Sequence, residues 1–393
     1  MTSSQLDVES RFLGLAPFLK MSIAGIDLRP IAQAMLQTAG EQENNAVLWM
    51  NLATVLFAIE QRDIALAVQE QALADQTRYT LPASVQPAKY RLLVLMAPGD
   101  LAENTPLDCL VEGTGIELEL YFCSPDAPLP PAIPEHDAVF VAISDTLQSQ
   151  PLLQQLQPLL ANWPRPVINR PASIGNVERQ RASELLQGIP GLVMPTTATV
   201  SRNELVAAIQ NQVPYPIILR PVGSHAGRNL AKIETDSALT TYLAQVDADH
   251  FYLSAFIDYA GPDGLYRKYR LVLINGQAYA SHMAISEHWM IHYLNAGMYD
   301  SAQKRAEEEA FMANFAQFAA RHQNALDSIQ QRAGLEYLCI DCAETQDGQL
   351  LIFEIDHAMV VHALDSTELF PYKQVYMGQV KQAFEQFLAT LCR

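Results

Sequence analysis

The apolar positions change period along the chain, and each change marks a new kind of element. Up to about residue 85 they recur every three to four places, the spacing of helices with one buried face. Leu48, Trp49, Leu52, Val55, Leu56 and Ile59 share one such face; Ile64, Ala65, Val68 and Ala72 share the next, with polar residues 60–63 between them. Ile31, Met35 and Leu36, stopped by Gly40, predict a helix upstream. Pro82 and Pro87 bracket a linker, after which short apolar runs at 92–96, 116–122, 138–143 and 167–168 are spaced as strands alternating with helices. That alternation predicts a small parallel α/β unit ending near residue 175.

From residue 176 the strands come in hairpin order. Ser201 and Glu204 are spaced as a capping box opening a helix. Strands 217–220 and 230–233 flank a loop, 251–257 is a further strand, and 269–274 with 277–281 enclose Asn275-Gly276, a strong hairpin signal. A long helical stretch over 302–332 ends at Gly334, strands 335–341 and 349–355 join through Asp347-Gly348, and a helix from about Tyr372 closes the chain. The expected organisation is a helical domain over 1–85, a parallel α/β domain over 86–175 and an α+β domain over 176–393.

Charge narrows the partners. Twenty-five basic against 43 acidic residues leave −18, which argues against broad binding to nucleic acid or an anionic membrane. The first twenty residues lack the pattern of a secretory signal, and no apolar run approaches the roughly 18 residues of a membrane span. Five scattered cysteines point to a reducing cytoplasm rather than a disulfide framework. Cys339 and Cys342 lie three apart on a strand and therefore face opposite ways, as core residues rather than a metal pair.

Three features of the last region carry chemistry. Strand 217–220 ends in Arg220 and feeds a loop containing Gly223, Ser224, His225 and Gly227. Glycines there permit close backbone approach, and loop amides with Arg220 suit phosphate oxygens. Glu354 and Asp356 project to one face of their strand, and Asp341 stands on the hairpin partner. Together they suit a magnesium ion, which takes oxygen ligands plus substrate phosphates; a solvated hairpin end suits the same residues. Between these features, Ser254, Ala255, Phe256 and Ile257 form an edge for an adenine, and Arg270 ends a cationic strand able to neutralise phosphate charge.

The order of these features resembles the ATP-grasp superfamily over about 167–363, with 92–169 in the place of that family's preceding α/β domain. Glu354-Ile355-Asp356 is similar to the family's terminal Glu-x-Asn motif, with Asp for Asn, and Arg220 stands where lysine is usual. The resemblance implies an ATP-grasp fold, ATP and Mg2+ as cofactors, and magnesium on Asp341, Glu354 and Asp356. It implies nucleotide contacts from Arg181, Arg220, Ser224, His225, Gly227, Ser254, Ala255, Phe256 and Ile257, with Arg270 facing the transferred phosphate. The implied reaction turns a carboxylate into an acyl phosphate, which an amine or another nucleophile then attacks. Alternatives on the same fold are an inactive nucleotide-binding scaffold and a small-molecule kinase.

The segment 281–293 is rich in histidine and aromatics. His282, His288 and His292 are expected in the acceptor pocket, with His288 or His292 available for proton transfer. Arg267 and Lys268 suit an anionic acceptor, or simply a solvated strand face. His357 and His362 follow the carboxylates and are expected toward the same cavity. In the front helices, Trp49, Leu52, Ala53, Ala65 and Ala72 sit at the large and small packing positions of a tetratricopeptide repeat, which this hairpin resembles. That resemblance implies a peptide or protein partner, or homodimerisation; a plain helical hairpin fits the same residues.

Overall fold

The computed structural model describes residues 7–42, 44–224 and 227–393. In chain order the helices and strands are α1 (Ala16–Ile23), α2 (Arg29–Glu41), α3 (Ala46–Ala58), α4 (Arg62–Asp75), β1 (Arg78–Leu81), β2 (Tyr90–Met96), α5 (Leu107–Val111), β3 (Ile116–Phe122), β4 (Ala138–Val141), α6 (Gln150–Ala161), β5 (Val167–Ile168) and α7 (Pro171–Ile174). They continue with α8 (Arg179–Leu185), β6 (Leu192–Val193), β7 (Ala198–Ser201), α9 (Leu205–Gln212), β8 (Ile217–Pro221), β9 (Ala231–Ile233), α10 (Asp236–Gln245), β10 (His250–Ala255), β11 (Tyr266–Ile274) and β12 (Gln277–Ser286). The last are α11 (Ala302–Ala313), α12 (Phe315–Arg321), α13 (Gln323–Ala333), β13 (Tyr337–Glu344), β14 (Leu350–Asp356) and α14 (Pro371–Leu391).

The chain forms two compact units, Met1–Ile174 with Leu335–Tyr337 and His357–Arg393, and Gly175–Gly334 with Leu338–Asp356. The first joins the front helices, the parallel sheet and α14, which the sequence periods assign to three separate domains. Its sheet runs β1-β3-β2-β4-β5; β2 to β5 are parallel, and β1 is antiparallel on β3. Strand β1, which helical periodicity hides, is what ties the helices to the sheet. Its Tyr79 is buried against Phe12 at 5.1 Å and Phe122 at 6.0 Å. Far along the chain, Phe384 of α14 packs on Phe140 at 6.5 Å and Tyr337 at 6.0 Å.

The expected face of α3 holds, and those of α2 and α4 hold with one exception each. Leu48, Leu52, Val55, Ala65 and Ala72 are fully buried, whereas Ile64 in α4 and Leu36 in α2 are more than half exposed. Ile64 precedes Ala65 by one place, about 100° around a helix from the Ala65–Val68–Ala72 line.

The second unit holds two sheets. One is antiparallel in the order β7-β10-β8-β9, closed on one side by a core that includes Leu205, Ile217, Leu219, Phe251 and Leu253. The other runs β12-β11-β13-β14-β6. Asn275-Gly276 makes the expected turn, with Ile274 opposite Gln277. Gly334 ends α13 in the left-handed region at φ 68°, as its place after the helical stretch predicts. The helical stretch itself is broken at Asn314 and His322 into α11, α12 and α13. The capping-box expectation is corrected: Ser201 ends β7, its hydroxyl bonds the Glu204 carboxylate at 2.6 Å, and the helix begins at Leu205. Among the described residues no helix is long and apolar enough to cross a membrane.

Candidate functional site

A cavity of about 180 Å³ lies in the second unit, lined from both of its sheets. From β8, β10 and the following segment come Ile218, Arg220, Tyr252, Ser254, Ala255, Phe256, Ile257 and Tyr259. β14 and β11 supply Leu351 to Glu354 and Lys268, α8 supplies Arg179, and a stretch after β12 supplies Trp289 to His292. The expected adenine-reading edge, 254–257, is therefore in the wall.

Arg220 is the key cation. It is 7% exposed; its Nε donates to Ser224 Oγ at 3.2 Å, and an Nη donates to the Ser224 carbonyl. Among the described residues it has no carboxylate partner. Burial, and after it the charge of Arg179, lowers its pKa to about 10. A desolvated cation facing a cavity favours an incoming anion, because binding replaces its lost hydration. Ser224 thus holds Arg220 and does not itself line the cavity. Gly227 lines it at φ 68°, and His225 lies outside the described residues.

The carboxylates are engaged by cations. Asp341, with no exposed side-chain surface, accepts Arg270 Nε at 2.8 Å and Arg270 Nη2 at 3.0 Å, and pairs with Lys268 Nζ at 2.6 Å. Burial alone would raise its pKa, but Arg270 and then Lys268 hold it well below the usual carboxylate range. Arg270 loses to burial and gains more from Asp341, so its pKa rises. Arg179 of α8 pairs with Glu354; burial, the largest single influence, raises the Glu354 pKa, and Arg179 together with Lys268 and Arg220 outweighs it for a net fall. Asp341 faces Glu354 across the β13–β14 ladder, and Asp356 faces Cys339. Among the described residues no three His, Cys, Asp or Glu side chains converge on one metal position. The expected three-carboxylate cluster is corrected accordingly: Asp341 is saturated by two cations.

Other expected site residues separate by strand and helix phase. Arg181 is exposed, and Arg179 is the cavity residue. Positions two apart on a helix differ by about 200°, and the Glu178 cap that opens α8 at Arg179 fixes which one turns inward. On β11, Lys268 lines the cavity while Arg267 faces away, bonded to Asp263 and Glu307, as alternation requires. Arg270 shares Lys268's face but reaches Asp341 rather than the cavity wall. His282 packs on Tyr293 at 4.8 Å with the rings tilted by 56°, His288 is exposed, and His292 alone of the three lines the cavity. Burial, then Lys268, lowers the His292 pKa, so the imidazole is neutral near pH 7. His357 is buried against the Ile143 carbonyl in the first unit. Cys339 and Cys342 are both fully buried, and burial pushes the Cys342 thiol up. Met194, Pro195, Thr197, Tyr252 and Trp289 line the cavity unannounced; a lone aromatic or proline in a loop carries no spacing that marks it.

Gly227 makes a testable contribution. A side chain there would adopt a left-handed backbone and drive its Cβ into the His292 ring. Gly227→Ala is expected to cost about 1–2 kcal/mol from the backbone alone, read as a lower urea midpoint.

No family model matches the chain. Among solved structures, a VanG D-Ala:D-Ser ligase from Enterococcus faecalis is 12% identical, with 77% of this chain and 99% of that one covered at a TM-score of 0.48. A RimK-domain ATP-grasp protein from Sphaerobacter thermophilus is 18% identical, with 76% and 99% covered and a TM-score of 0.43. The ATP-grasp ligase PsnB, solved with a phosphomimetic precursor variant, Mg and ADP, is 13% identical, with 76% and 97% covered and a TM-score of 0.43. These similar structures are ATP-grasp proteins and ligases.

Proposed function

We propose that the second unit is an ATP-grasp-type nucleotide site serving a ligase that activates a carboxylate as an acyl phosphate. The observation that carries this reading is Arg220, a buried cation with no carboxylate partner among the described residues, in the same cavity wall as the 254–257 edge and Phe256. Apolar edge and unmatched cation together suit a base joined to a polyphosphate.

In this reading the base lies along Ser254 to Ile257. Arg220 receives phosphate oxygens, and Arg179 turns to them from Glu354. Lys268 is the cation nearest the transferred group, while Arg270 keeps Asp341 ionised and oriented. A substrate carboxylate oxygen forms a bond to the terminal phosphorus, and ADP leaves with the electrons of the broken P–O bond. An amine then attacks the acyl carbon, phosphate departs, and the amine proton passes to a base; neutral His292 is placed for that transfer. The protein's share is positioning and charge neutralisation.

Magnesium fits a reduced ligand set. With Asp341 held by two cations, Glu354 is the carboxylate in the cavity wall that would meet the metal once Arg179 turns to the phosphates, and Mg2+ is commonly held by one or two carboxylates plus phosphates and waters. When bound it would neutralise charge on the phosphates. Thermal unfolding tests this reading. A ligand that binds only the native state raises stability by about 2.7 kcal/mol at a hundredfold excess over Kd. Magnesium-ATP is expected to raise the transition temperature of the wild type, and Glu354→Gln to lose the magnesium-dependent part. No shift at millimolar magnesium-ATP would sink the site.

A further inference from the structure

A second cavity, of about 80 Å³, lies in the first unit between the front helices and the carboxyl ends of β2 and β3. In open parallel sheets ligands bind in crevices at that edge. Phe12, Met50, Phe57, Met96, Leu120 and Phe122 give the cavity an apolar body.

Three buried amide side chains set its walls, and each spends its hydrogen bonds on main chain. Asn51 accepts from the Leu13 amide and donates to the Val8 and Arg11 carbonyls, each at 2.9 Å. These bonds hold the segment that brings Phe12 and Gly14 to the cavity. Gln69 bonds the Gly99 amide at 2.7 Å and its carbonyl at 3.0 Å. Asn104 does the same to Ala97 at 2.7 and 2.8 Å. Buried amides are costly unless bonded, and protein interiors hold few voids larger than a water molecule. A cavity pinned open at three places by bonded polar groups is a preformed pocket rather than a packing gap.

Its charge is one-sided. Asp100 and Asp108 line it, and among the described residues no lysine, arginine or histidine does. Asp100 already pairs with Arg62 at 3.0 Å. Asp108 Oδ2 accepts the Leu15 and Ala16 amides at 2.6 and 2.9 Å, at the start of α1. Those donors are neutral, and among the described residues Asp108 has no cationic partner. Burial, the largest influence on it, raises its pKa, and a bound cation would offset that cost.

We propose that this cavity binds a short aliphatic ammonium ion, with its charge on Asp108 and its alkyl body against Met50, Met96 and Phe122. A carboxylate on the same ligand would find no cation in the lining, so amines are favoured over amino acids. The volume is roughly half that of a cavity of about 150 Å³ that admits benzene, which limits the alkyl chain to about three or four carbons. The site needs no nucleotide and stands or falls apart from the ATP reading of the second unit.

Methionine methyl groups labelled with carbon-13 report the site in the whole chain. n-Butylammonium chloride should shift the signals of Met50 and Met96, assigned through Met50→Leu and Met96→Leu. Met194 and Met290, which line the other cavity, should stay in place. n-Butanol has the same shape without the charge. It is expected to bind at least about tenfold more weakly, the usual worth of a hydrogen bond to a charged group, and norvaline no better than butanol. Asp108→Asn keeps an oxygen for the two α1 amides and should erase the preference for butylammonium. Where that variant does not fold, Leu120→Phe, which fills the cavity, should abolish the Met50 and Met96 shifts. Equal affinity for butylammonium and butanol, a preference that survives Asp108→Asn, or shifts that survive Leu120→Phe overturns the site. So do shifts at Met194 and Met290 instead, or no shift at tens of millimolar amine.

Discussion

Arg220→Met is expected to abolish the stabilisation by magnesium-ATP while leaving the unliganded protein at least as stable as the wild type. The two effects have opposite signs because one charge causes both. Without ligand, Arg220 is 7% exposed and, among the described residues, its guanidinium hydrogen-bonds to Ser224. Burial works against its charge, as the fall of its pKa to about 10 records. A methionine of similar length removes that penalty, of order 1–3 kcal/mol, and keeps much of the packing. With ligand, the same charge is the phosphate anchor. Losing a buried charge-assisted contact costs about 2–5 kcal/mol of binding, or roughly thirtyfold or more in Kd. Differential scanning fluorimetry reads both: the apo transition holds or rises, and the ATP-dependent rise disappears. An apo transition that falls with the ATP shift intact would show Arg220 to be a structural residue.

Asp341→Asn has the larger effect on folding. Its carboxylate is fully buried and takes three contacts from Arg270 and Lys268 at 2.6 to 3.0 Å. Asparagine is nearly the same shape but leaves two cations without their counter-charge. Removing one partner of a buried ion pair typically costs about 3–5 kcal/mol, so the urea midpoint should drop with the slope unchanged.

The pH dependence has a definite sign. The folded pKa of Asp341 is depressed below the unfolded value of about 3.9. Its contribution is therefore fully present above that value and is lost as pH falls through the range below it. Wild type and Asp341→Asn should differ most near neutral pH and converge in acid. A constant gap would mean that Asp341 has the same pKa folded and unfolded and that the ion-pair account is wrong.

Much of the site was legible because it is local. The 254–257 edge, the Gly227 loop and the alternation that puts Lys268 and Arg270 on one face all follow from neighbours within a few residues. The choice of Arg179 over Arg181 was not legible in the same way. Both are arginines at the start of a helix, and only the helix phase set at Glu178 decides which one enters the cavity. Trp289 lies in a segment without period, so no spacing marks its place in the cavity wall.

The sequence by itself determined the helical front, the alternating strands of the α/β unit, the Asn275-Gly276 hairpin and the Gly334 stop. Each depends on side-chain period or on backbone freedom at a single position. Tertiary structure alone decided what the charges do. Arg270 meets Asp341 across 71 positions and Arg179 meets Glu354 across 175. Residue types reveal that cations and carboxylates are present. Which carboxylate each cation meets, and that Arg220 in the cavity wall has no carboxylate ion pair among the described residues, depends on long-range packing and on the loss of water around each charge.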